Sequence, residues 1–456
     1  MVVAPRELPV LSVVGLGKLG SPMAAVFASK GFQVIGLDVN KNFVDALNAG
    51  RAPVIEPELQ ELIDQNRGHI RATTDWVDAV HGSSITFIIV PTPSGPDAMF
   101  SNRYLLSALQ EIGKALSTKQ GYHVVVVTST VMPGSTEGEL KACLEHWSGR
   151  KVGLEIGLCY NPEFIALGSV VRDMLHPDMI LIGQSDEKAG EALENVYRHS
   201  TNTSPEFHRM NLVNAELCKI SVNTYVTTKI SYANMIGGMC DRLPGADADV
   251  VTAAVGADSR IGRKYLKPAL GYGGPCFPRD NKAFSALGRK LGVNTALAEA
   301  TDAINNYQVQ RLICAVEGRV GPPATVAVLG MSYKPKTGVV EESQGVELAS
   351  ELAQIGYRVI ISDPMALPAA KAVLDNSPAI TVEEDAAGAI EAADVVIFTT
   401  AWAEFAKLPL ATFGAGGKRR MVIDPWSLFN AKSLAEYADL VKPGVGSTMT
   451  AAAAAA

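Results

Sequence analysis

The chain has 456 residues, of which 47% are apolar and 19% charged, with a formal net charge of −7. That length favours two to four domains with full cores, and the acidic balance excludes a broad nucleic-acid-binding surface. Six cysteines and seven histidines are scattered without C-x-x-C or H-x-x-x-H spacing, so reduced thiols in a cytoplasmic protein are expected, and no metal site. No stretch reaches transmembrane length and no secretory leader is recognised, so a membrane partner is not expected either.

Val10 to Val14 is an apolar run that leads into Gly15-Leu16-Gly17-Lys18-Leu19-Gly20 and then a helical pattern from Pro22 to Lys30. A G-x-G-x-x-G motif between a strand and a helix is the dinucleotide fingerprint. The glycines permit a tight turn and close approach of a pyrophosphate, whose charge the helix N-terminus favours. A second strand, Gln33 to Leu37, ends at Asp38. A carboxylate there accepts from ribose hydroxyls and repels a 2′-phosphate, which selects NAD over NADP.

Two further strands follow, each with a loop at its C-terminal end. Ile85 to Val90 runs into Pro91-Thr92-Pro93, and Val124 to Thr128 runs into Ser129-Thr130-Val131. Doubly wound sheets bind ligands at such ends, so Thr130 either faces the nicotinamide or a water beside it, or is an ordinary turn hydroxyl. Glu155 to Tyr160 is another strand, ending in Asn161-Pro162-Glu163-Phe164. Glu163 there is either a held carboxylate or a solvated loop acid.

The longest helical pattern runs from Asn211 to about Cys240, with Leu217, Ile220, Ile230 and Ile236 expected on its buried side. Lys219 and Asn223 are four apart and share a face. They are donors aimed into a pocket or part of a solvent-facing polar stripe. Such a helix would link two domains and offer a dimer surface.

Gly271-Tyr272-Gly273-Gly274-Pro275-Cys276-Phe277-Pro278-Arg279-Asp280 reads as a shaped loop, with a helix expected from Asn281 to Leu291. A thiol held in a glycine-rich loop is either a nucleophile or an inert buried cysteine. Upstream, Arg260, Arg263, Lys264 and Lys267 form the most basic segment of this acidic chain, either solvated surface or a phosphate contact. Thr325 to Leu329 opens a second strand–helix alternation that has Gly330 but no G-x-G-x-x-G, so it should take a ligand other than a dinucleotide. The expected fold class is α/β, with two Rossmann-like doubly wound domains joined by a long central helix. Expected boundaries are 1–200 for the NAD-binding domain, 201–320 for a central helical domain, 321–445 for the second Rossmann-like domain and 446–456 for a tail.

Taken together, these motifs resemble the UDP-glucose/GDP-mannose dehydrogenase family over nearly the whole chain. The pieces are Gly15 to Gly20, Ser129-Thr130-Val131, Asn161-Pro162-Glu163-Phe164, Lys219 with Asn223, Gly273 to Asp280, and Tyr333-Lys334-Pro335. Arg260-Ile261-Gly262 with Tyr265-Leu266-Lys267 looks most like the UDP-glucose branch. The resemblance implies an NAD site of Gly15, Gly17, Lys18, Leu19, Gly20, Asp38, Lys41, Pro91, Thr92 and Thr130. It implies catalysis by Cys276, Lys219, Asn223, Asp280, Glu163 and Thr130. It also implies a nucleotide-sugar substrate held by Phe164, Lys219, Asn223, Arg260, Tyr265, Lys267, Tyr272, Gly273, Tyr333 and Lys334, in a homodimer. The chain departs from the family pattern at Leu167, Met179, Glu341 and Trp426.

Overall fold

In the computed structural model, which describes residues 8–446, the apolar runs become strands, the central ones covered on both faces. The first sheet comprises β1 (Leu11–Val14), β2 (Val34–Leu37), β3 (Ile70–Thr73), β4 (Ile85–Ile88), β5 (His123–Val127), β6 (Ile156–Tyr160), β7 (Met179–Gln184) and β8 (Glu206–Met210). Their order is β3-β2-β1-β4-β5-β6-β7-β8. All neighbours run parallel except β6 and β7, which are antiparallel.

Every residue of β1, β2, β4, β5 and β6 is buried. Alternate residues feed two cores, Val13, Phe87 and Val126 on one face and Val14, Ile88 and Val127 on the other. That is the strand period of two acting on near-continuous apolar runs. The order reverses between β1 and β4, so the loops leaving these two strands border the crevice where doubly wound sheets take ligands.

The second sheet comprises β9 (Thr325–Leu329), β10 (Arg358–Ser362), β11 (Ile380–Val382), β12 (Val395–Phe398), β13 (Met421–Ile423) and β14 (Asp439–Val441). It is wholly parallel, in the order β11-β10-β9-β12-β13-β14, and repeats the arrangement of the first six strands of the first sheet. The chain divides into two compact units, the first ending at Ser221 and the second beginning at Val222. The long helix Leu212–Cys240 runs through that division.

The long helix corrects one expectation. Leu217 was expected on its buried side and is 42% exposed, with Tyr225, Tyr232, Met235 and Met239 also exposed. Ile220 is buried as expected, and the buried positions also include Glu216, Lys219, Asn223, Thr227, Ser231 and Asn234. These polar side chains are buried because they have partners: Ser231 donates to the Thr301 carbonyl and Asn234 to the Leu270 carbonyl. A second correction concerns the cysteine stretch. Its helix spans Phe277–Leu291 and so begins four residues before the expected Asn281, with Pro278 in its first turn, where a missing N–H costs nothing. The expected tail at 446–456 lies, from residue 447 on, outside the described residues.

Candidate functional site

Gly15 leaves β1 with φ +95°, and a Cβ there would stand 2.1 Å from the Ile89 carbonyl oxygen. At Gly20 a Cβ would stand 1.7 Å from the Gly15 carbonyl oxygen. The fold itself requires these two glycines. At Gly17, by contrast, a Cβ would meet nothing within 4 Å. The middle glycine therefore borders open space at the N-terminus of the helix Gly20–Ser29, a cradle that fits a pyrophosphate.

Asp38 follows β2 and points back at this loop, its Oδ2 accepting from the Leu16 N–H at 2.6 Å and its Oδ1 from the Asn40 N–H at 2.7 Å. Lys18 is exposed and Leu19 precedes the helix. Lys41 is exposed with its ammonium on Asp45. On the other side of the crevice the Thr92 hydroxyl donates to the Thr130 carbonyl at 2.7 Å, and the Ser129 hydroxyl accepts from the Val90 N–H and donates to its carbonyl. The loop after Thr130 is fixed by Glu216, a buried carboxylate that accepts from the Gly134 and Thr136 N–H groups at 2.6 and 2.7 Å. Burial raises its pKa against those bonds.

Asn161 to Phe164 follow β6. Asn161 donates to the Leu181 carbonyl, and its Oδ1 lies 2.6 Å from the Tyr197 hydroxyl, which is also 2.8 Å from Glu163 Oε1. One phenol proton cannot serve both acceptors at once. The phenol is thus shared between Asn161 and Glu163 as acceptors. Burial raises the Glu163 pKa, opposed by the Tyr197 hydrogen bond and the charge of Lys219. Lys219 is only 7% exposed; its ammonium donates to the Glu163 backbone carbonyl at 2.7 Å and lies 4.5 Å from the centroid of the Phe164 ring. The solvent-facing alternative for Lys219 is excluded by its burial, and Glu163 is half-buried with its carboxyl group on Tyr197.

In the second unit, Cys276 occupies the N-cap of the Phe277–Leu291 helix and is exposed, so the inert buried cysteine is excluded as well. Asp280, one turn on, donates its N–H to the Cys276 carbonyl and is 1% exposed. Its Oδ2 accepts from Asn223 at 2.6 Å, and Arg279 lies 3.1 Å from its Oδ1. The glycines of this loop answer chiefly to their own chain: a Cβ on Gly273 would stand 2.2 Å from the Glu342 carbonyl, and one on Gly274 2.5 Å from the Tyr333 ring.

The remaining substrate candidates separate by what their polar groups do. Tyr265 is exposed at φ +61°, its ring edge-on to Phe277. Lys267 is exposed, and Lys334 is half-buried with its ammonium near the Tyr333 ring. Arg260 is exposed and held by Asp258. Tyr272 is buried and its hydroxyl donates to Asp302, which ties the loop to the helix Ala296–Glu317. A cavity of about 20 Å³ is lined by Gly271, Gly273, Tyr333, Ser343 and Trp426, and the buried Ser343 hydroxyl has no partner among the described residues.

Sequence reasoning missed Tyr197, Glu216, Asn305 and Gln344. Each reaches its partner from a distant element, so no local spacing marks it.

Comparison with known proteins matches residues 10–201, 213–307 and 327–431 to the NAD binding, central and UDP binding domains of the UDP-glucose/GDP-mannose dehydrogenase family. UDP-glucose 6-dehydrogenase AglM of Haloferax volcanii is 34% identical over 435 residues, 94% of this chain and 100% of that protein. GDP-mannose 6-dehydrogenase of Pseudomonas putida is 33% identical over 357 residues, 77% of this chain and 80% of that protein. The structure of a UDP-glucose dehydrogenase from the archaeon Pyrobaculum islandicum is similar with TM-score 0.87 and 35% identity, covering 98% of this chain and 100% of that one.

Proposed function

The chain belongs to the UDP-glucose/GDP-mannose dehydrogenase family and is an NAD-binding oxidoreductase, and we propose that it oxidises the C6 alcohol of a nucleotide sugar to the carboxylate, with UDP-glucose as the first substrate to test. The observation that carries this reading is the exposed Cys276 at a helix N-cap, one turn from a buried Asp280 bonded to Asn223. A single-step alcohol dehydrogenase gives that thiol no task.

NAD, when bound, supplies the hydride acceptor, twice per turnover. Lys219, or a water it holds, takes the proton from the C6 hydroxyl as hydride leaves carbon. The Cys276 thiolate then adds to the aldehyde carbon to give a thiohemiacetal, whose oxyanion Lys219 and Asn223 stabilise. Loss of the second hydride leaves a thioester. Water, positioned by Asp280, Thr130 and Glu163, attacks the thioester carbonyl and frees the thiol and the carboxylate. Each substrate thus consumes two NAD and one water. Lys267, Lys334, Tyr265 and Tyr333 are the proposed nucleotide contacts, and Arg260 reaches outward to a second copy. The exposed apolar Tyr225, Tyr232, Met235 and Met239 on the long helix support a homodimer.

The test is NADH formation with UDP-, TDP-, GDP- and ADP-glucose and with UDP-N-acetylhexosamines. Two NADH per product support the four-electron reading, and one per product sinks it. Cys276→Ser should lower turnover by orders of magnitude with substrate binding retained. Glu163→Gln should pass both hydrides but stall hydrolysis, leaving a hydroxylamine-sensitive adduct on the Cys276 peptide by mass spectrometry. An adduct on another cysteine refutes the mechanism.

A further inference from the structure

The cysteine loop is held by anchors that the proposed chemistry does not use. Gln344 Oε1 accepts from the Gly271 N–H at 2.7 Å. Asn305 Oδ1 accepts from the Tyr272 N–H at 2.7 Å, and Asn305 Nδ2 donates to the Tyr272 carbonyl at 3.0 Å. The Glu341 carbonyl accepts from the Gly274 N–H at 3.1 Å. Both amide side chains are buried, Gln344 8% and Asn305 6% exposed. They grip the loop closely, because a Cβ on Gly271 would stand 2.2 Å from Gln344 Nε2 and 2.4 Å from Asn305 Oδ1.

These anchors come from three separate places: Asn305 from the helix Ala296–Glu317, Gln344 from the start of the helix Gln344–Ile355, and Glu341 from the turn before it. Two residues beyond the last anchored N–H, Cys276 enters the Phe277–Leu291 helix at its N-cap. The Cys276 side chain makes no cap hydrogen bond to that helix and Pro278 carries no N–H, so what a thiolate at the N-cap gains is the field of the helix N-terminus. The direction in which the chain enters the helix decides whether the thiol stands there. Fixing four backbone groups within Gly271 to Gly274 fixes that direction.

We propose that Gln344 and Asn305 are positioning residues for Cys276, an amide clamp on Gly271 and Tyr272 that holds the thiol in the field of the helix N-terminus. Its consequence for turnover rests on the reading of Cys276 as the nucleophile, but thiol ionisation is measurable without turnover. The experiment is the pH-rate profile of iodoacetamide alkylation on the full chain, with peptide mapping to separate Cys276 from Cys314, which is also exposed. In Gln344→Leu and Asn305→Leu the Cys276 midpoint should rise by about one pH unit, while that of Cys314 stays in place. In the same variants kcat should fall several-fold with the KM for NAD unchanged. Gln344→Ser, too short to reach Gly271, is read in the same way where a leucine variant does not fold. A folded variant with an unshifted Cys276 midpoint overturns the clamp, as does an equal shift at both cysteines, which would mean general loosening. A shift confined to Cys276 with unchanged kcat upholds the clamp and removes the thiol from the reaction.

Discussion

Gly15 in the first sheet and Gly330 in the second stand at the same place in the strand order, each with positive φ, +95° and +114°, and each pressed on the exit of the neighbouring strand. The next helix in both units has a glycine in its first turn against the first: a Cβ on Gly20 would stand 1.7 Å from the Gly15 carbonyl, and one on Gly345 2.1 Å from the Gly330 carbonyl. An aspartate follows the adjacent strand in both, Asp38 and Asp363. What differs is the stretch between the glycines. The first unit has Leu16 to Leu19 there, with open space at Gly17; the second has Met331 to Gln344, which folds back on its own crevice and on the cysteine loop. One plan thus serves as a dinucleotide cradle where the loop is short and as a filled scaffold where it is long.

The aspartates record the same divergence. Asp363 is 4% exposed and receives six donors, the N–H groups of Met331, Ser332, Met365 and Ala366, the Ser332 hydroxyl and the Trp402 indole. A carboxylate has about four lone-pair sites, so Asp363 is saturated by protein. Asp38 is only half-buried and receives one donor on each oxygen. The largest expected effect follows. Asp363→Ala should destabilise by about 3–5 kcal/mol, because several buried donors lose their acceptor together. Asp38→Ala should cost under about 1 kcal/mol. Urea denaturation of both variants breaks the comparison if the two losses are equal.

How far this was legible in the sequence depends on the residue. The strands that build both crevices are short apolar runs, and the first fingerprint declares itself by spacing. The matching pair Gly330 and Gly345 does not, because the long loop between them destroys the spacing while the packing constraint survives. β8 (Glu206–Met210) carries no apolar run because it lies at the edge of the sheet. The long helix was legible in extent but only in part in facing, since its buried side mixes Ile220 and alanines with polar residues held by hydrogen bonds. Cys276, Lys219, Asn223, Asp280 and Glu163 were legible as motif residues. Their supports Tyr197, Glu216, Asn305 and Gln344 were not, because only the fold brings them to those positions.

Gly17→Val sharpens the contrast next. A Cβ there meets no protein atom within 4 Å, so the melting temperature should hold, while NAD affinity should fall at least about 100-fold, about 2.7 kcal/mol. Gly345→Ala should do the reverse, lowering stability and leaving NAD affinity alone. Isothermal titration and calorimetry on the two variants separate these outcomes; a Gly17→Val enzyme that still binds NAD tightly would remove the cradle from Gly17.

The two sheets also differ at their opposite ends. His123 opens β5 fully buried, beside Thr86 and Lys119, and burial with the nearby Lys119 and Arg150 charges lowers its pKa to about 3. The corresponding strand β13 is preceded by Arg420, whose guanidinium donates to the carbonyls of Phe413, Ala415, Lys418 and Glu391. Arginine stays charged throughout the accessible range. The unfolded histidine binds a proton near pH 6.5 and the folded one resists it down to about 3. Stability is therefore unaffected by this group above about pH 6.5 and is lost as pH falls, by about 2 kcal/mol at pH 5. Hydrogen exchange at pH 7 and pH 5 should show the first unit loosening before the second; the opposite order would refute the assignment.

The smallest expected effect tests the first crevice at its most specific point. Each Asp38 oxygen keeps a lone pair after its one backbone bond, so a ribose with two free hydroxyls gains acceptors there. A 2′-phosphate would instead bring two negative charges against a carboxylate already committed to the glycine loop. Asp38→Asn keeps an acceptor for one backbone N–H and removes the charge. The wild-type chain should strongly prefer NAD, and the substitution should narrow the NAD-to-NADP ratio of kcat/KM by about tenfold, or about 1.4 kcal/mol. Most of the change should lie in the KM for NADP, because the charge acts on binding and is remote from the hydride. Equal efficiency of the wild-type enzyme with both cofactors would show that Asp38, like Asp363, serves only its own loop, and the two units would then differ in loop length alone.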